Sequence, residues 1–308
     1  MIIKNPYVKG IIDKIAKNPP KLILPEHEDL RIQDAQKFLS HSGFSIQDVN
    51  SFNDYPSYIE HIKNKKFTNN WTDEMLEKYT KIPLIKSLIV LDMGYVDCLV
   101  AGASTSTAEV IKSSIRIIGL DNFSNWISSS FFLVNPINNK GYTYADCGVI
   151  PEPDVDQLVS IAYQASKMHK LVSNEDPRVA FLSFSTKGSA KHYKVKRMQD
   201  AAEIFGKKYP DILHEGELQF DAAVNSIVAN KKIDNSILNG DANVFIFPDL
   251  SSGNIAYKIT QYLAGYSAWG PLLQGFKKPI HDLSRGCSVD DIICVSCIAA
   301  IESLKNKD

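Results

Sequence analysis

The chain has 308 residues, which is enough for two domains, because a single hydrophobic core rarely grows beyond about 250 residues. Hydrophobic residues make up 44% and charged residues 22%, a composition typical of globular proteins and not of disordered ones. The 34 basic and 35 acidic residues give a formal charge of −1, which excludes a global field that draws the protein to nucleic acid or to an anionic membrane.

The cysteines and the apolar segments predict a protein of the reducing cytoplasm. Five cysteines are an odd number in a long chain, and their spacing suggests no disulfide framework. Residues 1–12 lack the apolar core and cleavage site of a signal peptide. The most apolar run, residues 292–301, is much shorter than the roughly 20 residues that a membrane-spanning helix needs. We therefore expect a buried helix there and no membrane partner.

Short apolar runs alternate with longer stretches of helical spacing along the chain. This alternation predicts an α/β fold with parallel strands joined by crossover helices. Predicted strands cover residues 21–24, 97–101, 131–134, 178–184 and 243–247. One predicted helix follows Asp154 and carries Leu158, Ala162, Ala165 and His169 on one face, and another covers residues 253–263.

A turn-rich segment at residues 135–142 predicts a domain boundary, because Pro, Asn and Gly cluster there between two apolar runs. We expect a first α/β domain of residues 1–138 plus 279–308 and a second of residues 139–278. The C-terminal helix, after a Gly-, Pro- and Ser-rich segment at residues 270–291, is expected to return to the first domain.

Residues 281–291, HDLSRGCSVDD, hold the richest set of reactive groups in the chain. Gly286 permits a tight turn, Ser288 is suited to capping a helix, and free N–H groups at a helix start attract an anion to which Arg285 can add bidentate bonds. This pattern indicates a phosphate-binding loop. The alternative is that Ser288, Asp290 and Asp291 only cap the helix, and these residues alone do not decide between the two.

Two other loops follow predicted strands and are rich in hydroxyl groups. Residues 184–189, FSTKGS, suit a phosphate at the carboxyl end of a strand, but they lack P-loop spacing, and a plain strand-to-helix turn is the favoured reading of the segment alone. Residues 102–107, GASTST, precede a helix that carries Lys112. Their hydroxyls either bind oxygen atoms of a ligand or cap the helix, and both interpretations stay open.

The sequence predicts no metal site. Cys294 and Cys297 have CxxC spacing, but no second pair or nearby His completes a tetrahedral set, so they are interpreted as buried small hydrophobic residues. The seven histidines show no HExxH pattern, and no GxSxG motif indicates a serine hydrolase.

Further segments carry recognisable motifs: residues 24–26 (Leu-Pro-Glu) with Asp29 and Arg31, and residues 97–107, 144–147, 184–189, 218–223, 247–254 and 270–286, the last ending in Asp-Leu-Ser-Arg-Gly. Together they resemble the phosphate acetyltransferase family over nearly the whole chain. The resemblance implies two α/β domains of the isocitrate and isopropylmalate dehydrogenase type, an active-site cleft between them, and a homodimer. It also implies that coenzyme A, acetyl-CoA, phosphate and acetyl phosphate are substrates, that no cofactor is needed, and that no nucleic acid is bound.

By motif position the resemblance also assigns roles. The coenzyme A thiolate attacks acetyl phosphate directly in a ternary complex, with Asp291 as the base for the thiol, Ser284 stabilising the charge at the carbonyl, and Arg285 holding phosphate. The residues assigned to substrate binding are Ser106, Thr107, Lys112, Ser185, Lys187 and Asn254. The chain departs from the family pattern where a second arginine is usual, because Lys112 stands there, and an upstream arginine is matched by Lys63. Lysine keeps the charge but loses the planar fork.

Three other functions are alternatives to phosphate acetyltransfer. A phosphate butyryltransferase takes a larger acyl group, and the Asp-Leu-Ser-Arg-Gly segment favours acetyl over it. A catalytically silent acetyl-CoA sensor is disfavoured because Ser284, Arg285 and Asp291 are all present. A metal- and NAD-dependent decarboxylating dehydrogenase shares the fold, but no dinucleotide fingerprint occurs.

Overall fold

The computed structural model describes residues 5–122 and 124–305. The first residues of the segment 1–12 and the last residues of the segment 279–308 therefore lie outside the described residues. The chain forms two compact units. Unit 1 comprises the residues up to Asn125 together with those from Gly275 onward, and unit 2 comprises Trp126–Gln274. Both units combine helices with a sheet, and the predicted α/β class is confirmed.

The elements follow one another in chain order. The N-terminal part of unit 1 contains α1 (Pro6–Ile15), β1 (Lys21–Ile23), α2 (Leu30–His41), β2 (Ser45–Gln47), α3 (Tyr55–Lys63), α4 (Asp73–Thr80), α5 (Pro83–Asp92), β3 (Cys98–Ala101) and α6 (Thr107–Ile117). Unit 2 contains β4 (Ser128–Val134), β5 (Gly141–Ala145), α7 (Val155–Ser173), β6 (Arg178–Leu182), α8 (Tyr193–Lys208), β7 (Leu213–Leu218), α9 (Phe220–Val224), α10 (Ser226–Lys232), β8 (Val244–Ile246), α11 (Leu250–Ala264) and β9 (Ser267–Gln274). The chain then returns to unit 1 with β10 (Ile280–Asp282) and α12 (Val289–Lys305).

The sheet of unit 1 has the order β10-β3-β1-β2, and its strand pairs are parallel. The carboxyl ends of β1, β3 and β10 therefore lie at one edge, which is where open α/β sheets bind ligands. Helix α12 packs against α1, α2 and β3. Its Cys294 and Cys297 are buried among Ile292, Val295 and Ile298, as small hydrophobic residues are.

Unit 2 contains a mixed sheet with the order β7-β6-β8-β5-β4-β9. The strands from β7 to β5 are parallel, whereas β4 runs antiparallel to both β5 and β9. The prediction of parallel strands throughout was wrong for β4, because a short hairpin can only join antiparallel neighbours. Helix α7 has the predicted start, where Asp154 and Gln157 form a capping box, and its face of Leu158, Ala162 and Ala165 is buried.

The turn at residues 135–140, where the sequence predicts a domain boundary, lies inside unit 2. It connects β4 to β5, and the Asn135 N–H donates to the backbone oxygen of Lys140 at 3.0 Å. The structural division falls instead at Asn125/Trp126 and at Gln274/Gly275. Turn composition alone does not distinguish a hairpin from a linker, because both need residues that tolerate sharp bends.

None of the described helices has the length and apolar character needed to cross a membrane.

Candidate active site

The segment from Leu283 to Ser288 links β10 to α12 and exposes the predicted catalytic side chains. Leu283 is buried and anchors the segment, whereas Ser284, Arg285 and Gly286 are exposed. A tight turn forms because the Cys287 N–H donates to the backbone oxygen of Ser284 at 2.9 Å. The Gly286 N–H also lies 3.3 Å from the Ser284 hydroxyl oxygen. The turn therefore presents a hydroxyl and a guanidinium to solvent within one short segment.

Asp291 lies in the first turn of α12, where it forms a capping box with Ser288. Its Oδ2 accepts from the Ser288 N–H at 2.9 Å and from the Ser288 hydroxyl at 2.8 Å, and the Asp291 N–H lies 3.2 Å from the Ser288 hydroxyl oxygen. Within the described part of the chain, no hydrogen bond engages Oδ1 of Asp291. The helix-capping interpretation is thus correct for one oxygen of this carboxylate, and the other oxygen is available for chemistry.

Arg31, at the start of α2, ties this turn to two other segments. Its Nη1 donates to the backbone oxygens of Arg285 and Cys287, each at 2.9 Å, and its Nη2 donates to the backbone oxygen of Ala103, also at 2.9 Å. The guanidinium also pairs with the Asp29 carboxylate at 2.6 Å. The side-chain hydrogen bond from Arg31 holds the pKa of Asp29 below its usual value.

Glu26 lies in the loop that follows β1, and its side chain reaches the loop that follows β3. Its carboxylate accepts from the backbone N–H groups of Ala103, Ser104 and Thr105 at 2.7 to 2.9 Å. Successive N–H groups that converge on one point form an anion site. A side chain of the protein fills that site, so these backbone donors are not free for phosphate in this structure.

Asp282, the last residue of β10, holds the start of α6. Its Oδ2 accepts from the Thr107 hydroxyl at 2.5 Å. Gly102 permits the close approach, because a Cβ there would lie 2.2 Å from Oδ1 of Asp282 and the Gly102 φ of 104° disfavours other residues. Burial raises the pKa of Asp282 to about 7, although the bond from Thr107 acts in the opposite direction.

The remaining predicted residues of unit 1 also have partners within the protein. Ser106 caps α6, since its hydroxyl accepts from the Glu109 N–H at 3.3 Å. The Lys112 ammonium lies 2.7 Å from the Glu109 carboxylate in an exposed ion pair. Lys63, which the resemblance matches to an arginine of the family, pairs with Asp73 at 3.0 Å. The hydroxyls of residues 104–107 therefore serve largely as caps and braces.

A pocket of about 490 Å³ lies beside the Glu26 loop. Its lining includes Glu26, Glu28, Asp29 and Glu109, together with Pro83, and does not include Ser284, Arg285 or Asp291. Four carboxylates around one pocket do not suit an anionic substrate. The exposed turn at residues 284–286 is the better candidate for phosphate.

Three predicted residues belong to unit 2. Ser185 is fully buried, and its hydroxyl donates to Oε1 of Glu217 at 2.7 Å. The Lys187 ammonium lies 3.2 Å from the buried Glu215 carboxylate, and Lys187 itself has a left-handed backbone with φ of 48°. The Asn254 amide donates to the backbone oxygen of Cys147 at 3.0 Å. The Ser185 side chain thus points into the interior, and it does not lie on the exposed surface of the loop at residues 184–189.

Glu217 fixes this loop from below. It also accepts from the Gly188 N–H at 2.7 Å and from the Gln199 amide at 3.0 Å. Burial alone would raise the pKa of Glu217, but the bonds from Gly188, Ser185 and Gln199 bring the pKa below its usual value. The carboxylate is therefore charged at neutral pH and acts as a permanent acceptor for the loop.

Cys287 lies within the candidate turn but is not activated. Burial raises the pKa of its thiol to about 11, although the nearby Arg31 charge acts in the opposite direction. A reactive cysteine needs a lowered pKa and exposure. Among the described residues, no group of three or more His, Cys, Asp or Glu side chains is placed to hold a metal ion.

Sequence reasoning missed the groups that organise these loops, namely Glu26, Asp282 and Glu217 as carboxylate acceptors and Arg31 as a donor. In the sequence, Glu26 and Arg31 were noted only as part of the resemblance to the family. Asp282 was noted as a member of the segment at residues 281–291, with no role assigned to it. A signal was available for Glu217, because a carboxylate inside a strand pattern needs partners if it is buried. The identity of those partners follows only from the tertiary structure.

Comparison with known proteins identifies the family. A family model described as phosphate acetyl/butaryl transferase matches residues 8–300. A phosphate acetyltransferase from Acetivibrio thermocellus is 34% identical over 96% of this chain and 98% of its own length. A crystal structure of a phosphotransacetylase from Streptococcus pyogenes superposes with a TM-score of 0.91 at 32% identity, covering 99% of this chain and 100% of that one. A branched-chain phosphotransacylase from Enterococcus faecalis, at 17% identity and a TM-score of 0.67 over 92% of this chain and 99% of that one, shares the fold.

The chain belongs to the phosphate acetyl/butaryl transferase family. The resemblance that the sequence motifs predicted is confirmed.

Proposed function

We propose that the protein transfers an acetyl group between coenzyme A and inorganic phosphate, so that acetyl-CoA and phosphate interconvert with acetyl phosphate and coenzyme A. The family match over residues 8–300 carries this proposal. The exposed turn that places a serine hydroxyl next to an arginine side chain supports it. Phosphate needs a cation or N–H donors, and a carbonyl under attack needs a hydrogen-bond donor.

In the proposed reaction the coenzyme A thiol gives its proton to Oδ1 of Asp291. A free thiol has a pKa near 8.5, so a base speeds the reaction at neutral pH. The sulfur then attacks the carbonyl carbon of acetyl phosphate, and the Ser284 hydroxyl donates to the oxygen that becomes negative. When the carbon–oxygen bond to the phosphoryl group breaks, phosphate leaves with the electron pair and is held by Arg285. No acetylated enzyme forms.

The capping box prepares Asp291 for this role. Because both groups of Ser288 bond Oδ2, the carboxylate has one preferred orientation, in which Oδ1 points away from the cap. A base held in one orientation loses less entropy when it accepts the proton. The same geometry that stabilises the helix start therefore supports the proposed chemistry.

Lys112, Thr107 and Ser106 are proposed to act near the phosphate, with Lys112 supplying charge in place of the usual arginine. Lys112 has to exchange its Glu109 partner for the substrate. We expect Lys112→Arg to tighten the binding of phosphate or coenzyme A a few-fold, because a guanidinium can bind both a phosphate and Glu109. In unit 2, Lys187 and Asn254 are proposed to contact substrate, while Ser185 holds the loop in shape.

A coenzyme A-dependent assay with acetyl phosphate tests the function. Thioester absorbance should rise without NAD or an added metal ion, and no resident cofactor is proposed. Comparison of acetyl, propionyl and butyryl substrates then decides the acyl preference, for which we expect acetyl to give the highest kcat/KM. An acetyl-CoA sensor would bind the thioester without turnover, and that outcome would refute the proposal.

A homodimer in the cytoplasm is also proposed. One face of α11 supports the dimer, because Ile255, Ile259, Tyr262 and Leu263 are all exposed on it at helical spacing. A contiguous apolar stripe on an exposed helix is typical of a protein interface, and a two-fold axis lets one stripe pack on its own copy. Ile259→Glu should yield a monomer in sedimentation experiments. The control Ile137→Glu, at an exposed isoleucine of the β4–β5 turn, should leave the mass unchanged.

A further inference from the structure

His281, the middle residue of β10, is a buried titratable side chain that the proposed reaction does not use. It is 0% exposed, and its Nε2 lies 3.0 Å from Oε2 of Glu302 on α12. The two atoms are at ion-pair distance but are not aligned for a hydrogen bond, and within the described residues Nδ1 of His281 has no hydrogen-bond partner either. Buried polar groups are normally hydrogen-bonded. This imidazole therefore calls for an explanation other than stability, because a buried ion pair is weak evidence of net stabilisation.

β10 is held by polar contacts on both of its faces. Successive side chains of a strand point to opposite faces of the sheet, so His281 and Asp282 face different helices. Asp282 accepts from the Thr107 hydroxyl of α6 at 2.5 Å, and His281 lies against Glu302 of α12. The turn with Ser284 follows directly after this strand. The contact between His281 and Glu302, here called the β10–α12 contact, therefore belongs to the support of the candidate active site.

The rest of α12 offers little that would fix the helix along its own axis. Its buried face consists mostly of Ile, Val, Ala and Cys side chains, and apolar contacts are non-directional. Of its other buried polar side chains, Ser303 donates to the backbone oxygen of Ala300 at 2.8 Å, inside the helix, and the Ser296 hydroxyl has no hydrogen-bond partner within the described residues. A single polar contact in an apolar helix interface is a known way to specify register. The β10–α12 contact is suited to that task.

The same two elements carry the groups of the proposed chemistry. Ser284 follows His281 by three residues, and Asp291 precedes Glu302 on α12 by eleven residues. At a rise of about 1.5 Å per residue this part of the helix is ~16 Å long, and a rigid helix transmits a displacement of one end to the other. Sliding α12 along β10 would therefore move Asp291 relative to Ser284. Misplacement of a reacting group by about 1 Å can cost about a hundredfold in rate.

We propose that His281 and Glu302 are positioning residues, which fix α12 against β10 and thereby hold the Asp291 carboxylate at its working distance from the Ser284 hydroxyl. The inference rests on the proposed function, since it concerns the base and the hydroxyl of that reaction. Neither positioning residue touches substrate. Loss of the β10–α12 contact therefore affects the proton transfer and the attack on the carbonyl more than the binding of either substrate.

Kinetics of two variants and of their combination test the positioning role. Glu302→Gln removes the charge of a side chain that is 30% exposed and keeps its shape, and His281→Leu removes the imidazole. Each should lower kcat about tenfold while both Michaelis constants stay within about twofold. The double variant should be no slower than the slower single variant, because both changes break the same contact. Ser303→Ala, the matched control in the same turn of α12, should leave kcat unchanged.

A normal kcat for Glu302→Gln would overturn the proposal, as would a double variant about a hundredfold slower than the unmodified protein, since independent effects multiply. Glu302→Gln keeps the test decisive if His281→Leu fails to fold, because its change lies at a partly exposed site. Crystal structures of the unmodified protein and of Glu302→Gln need no turnover. The distance from Oδ1 of Asp291 to the Ser284 hydroxyl should differ between them, and an equal distance would contradict the positioning role. Failure of the proposed function is separate, because it shows as absence of thioester formation by the unmodified protein.

Discussion

The Nη1 atom of Arg31 lies 2.9 Å from the backbone oxygen of Cys287, and this bond joins the start of α2 to the turn that carries Ser284 and Arg285. The same guanidinium bonds Ala103 in the loop after β3. One side chain therefore sets the relative position of two loops that surround the carboxyl ends of β3 and β10. A planar group with five donors is suited to this task, and lysine is not.

Arg31→Lys should therefore lower kcat/KM for acetyl phosphate about tenfold or more, although Arg31 is not proposed to touch substrate. The loss of charge-assisted bonds should also cost about 1.5 to 3 kcal/mol of unfolding free energy in Arg31→Ala.

Because the pKa of Asp29 is depressed in the folded state, its pairing with Arg31 contributes stability above the unfolded pKa. This stability is lost as the pH falls through the folded pKa. Urea denaturation of the unmodified protein and of Arg31→Ala, at neutral pH and near pH 3, measures the two unfolding free energies. An equal difference between them at both pH values would contradict this pH dependence.

Asp291→Asn should lower kcat by orders of magnitude while both Michaelis constants stay within a few-fold, because the change removes a proton acceptor and keeps the shape. Asp290→Asn is the matched control, since Asp290 lies in the same helical turn but is exposed and takes no part in the Ser288 box. Ser288→Ala separates capping from catalysis by removing the hydroxyl that orients the carboxylate. Near-normal turnover of Asp291→Asn at neutral pH would eliminate this residue as the base.

Arg285→Gln should weaken acetyl phosphate and inorganic phosphate about ten- to a hundredfold, with a much smaller effect on coenzyme A. Arg285→Lys should recover only part of that affinity, because a point charge does not reproduce the bidentate geometry. Two kinetic titrations on each variant measure the effect, one varying acetyl phosphate and one varying coenzyme A. A change confined to the coenzyme A constant would mean that Arg285 serves the other substrate.

Asp282 should make stability depend on pH in a direction opposite to that of Asp29. Its folded pKa of about 7 lies above the ordinary aspartate pKa of 3.8, so between these values the folded state binds more protons and loses stability as the pH rises. Asp282→Asn cannot ionise, so it should become more stable relative to the unmodified protein between pH 4 and pH 8. Unfolding free energies at the two pH values give the answer, and a difference that does not change with pH would show that Asp282 does not titrate in this range.

Local patterns predicted much of the fold. Asp154 begins α7 because its capping box involves residues only three apart, β3 and β8 are continuous apolar runs, and β1 is apolar after Lys21. The pattern failed for β7, where Glu215 and Glu217 interrupt the apolar run and are nevertheless buried. It also failed for β2 (Ser-Ile-Gln) and β10 (Ile-His-Asp), which have three residues each, of which only one is apolar. A single apolar residue forms no run and shows no period.

The candidate site was predictable in its residue types but not in its internal partners. From the sequence alone, a ligand site and a helix cap were equally good interpretations of the hydroxyl-rich loop at residues 102–107. The structure shows its backbone N–H groups bonded to Glu26 and its Thr107 hydroxyl bonded to Asp282. These partners are distant in sequence, and local propensity contains no information about such pairs. The sequence therefore did not predict where a carboxylate is buried without a charged partner.

The most direct test of the central claim follows labelled inorganic phosphate into acetyl phosphate, with and without coenzyme A. Direct attack of the thiolate in a ternary complex requires coenzyme A for phosphate exchange, because no acetylated enzyme exists to take up phosphate. We predict rapid exchange when coenzyme A is present and none when it is omitted. Exchange without coenzyme A would demonstrate an acetyl-enzyme and contradict the roles of Asp291 and Ser284, and absence of exchange under both conditions would contradict the proposed function itself.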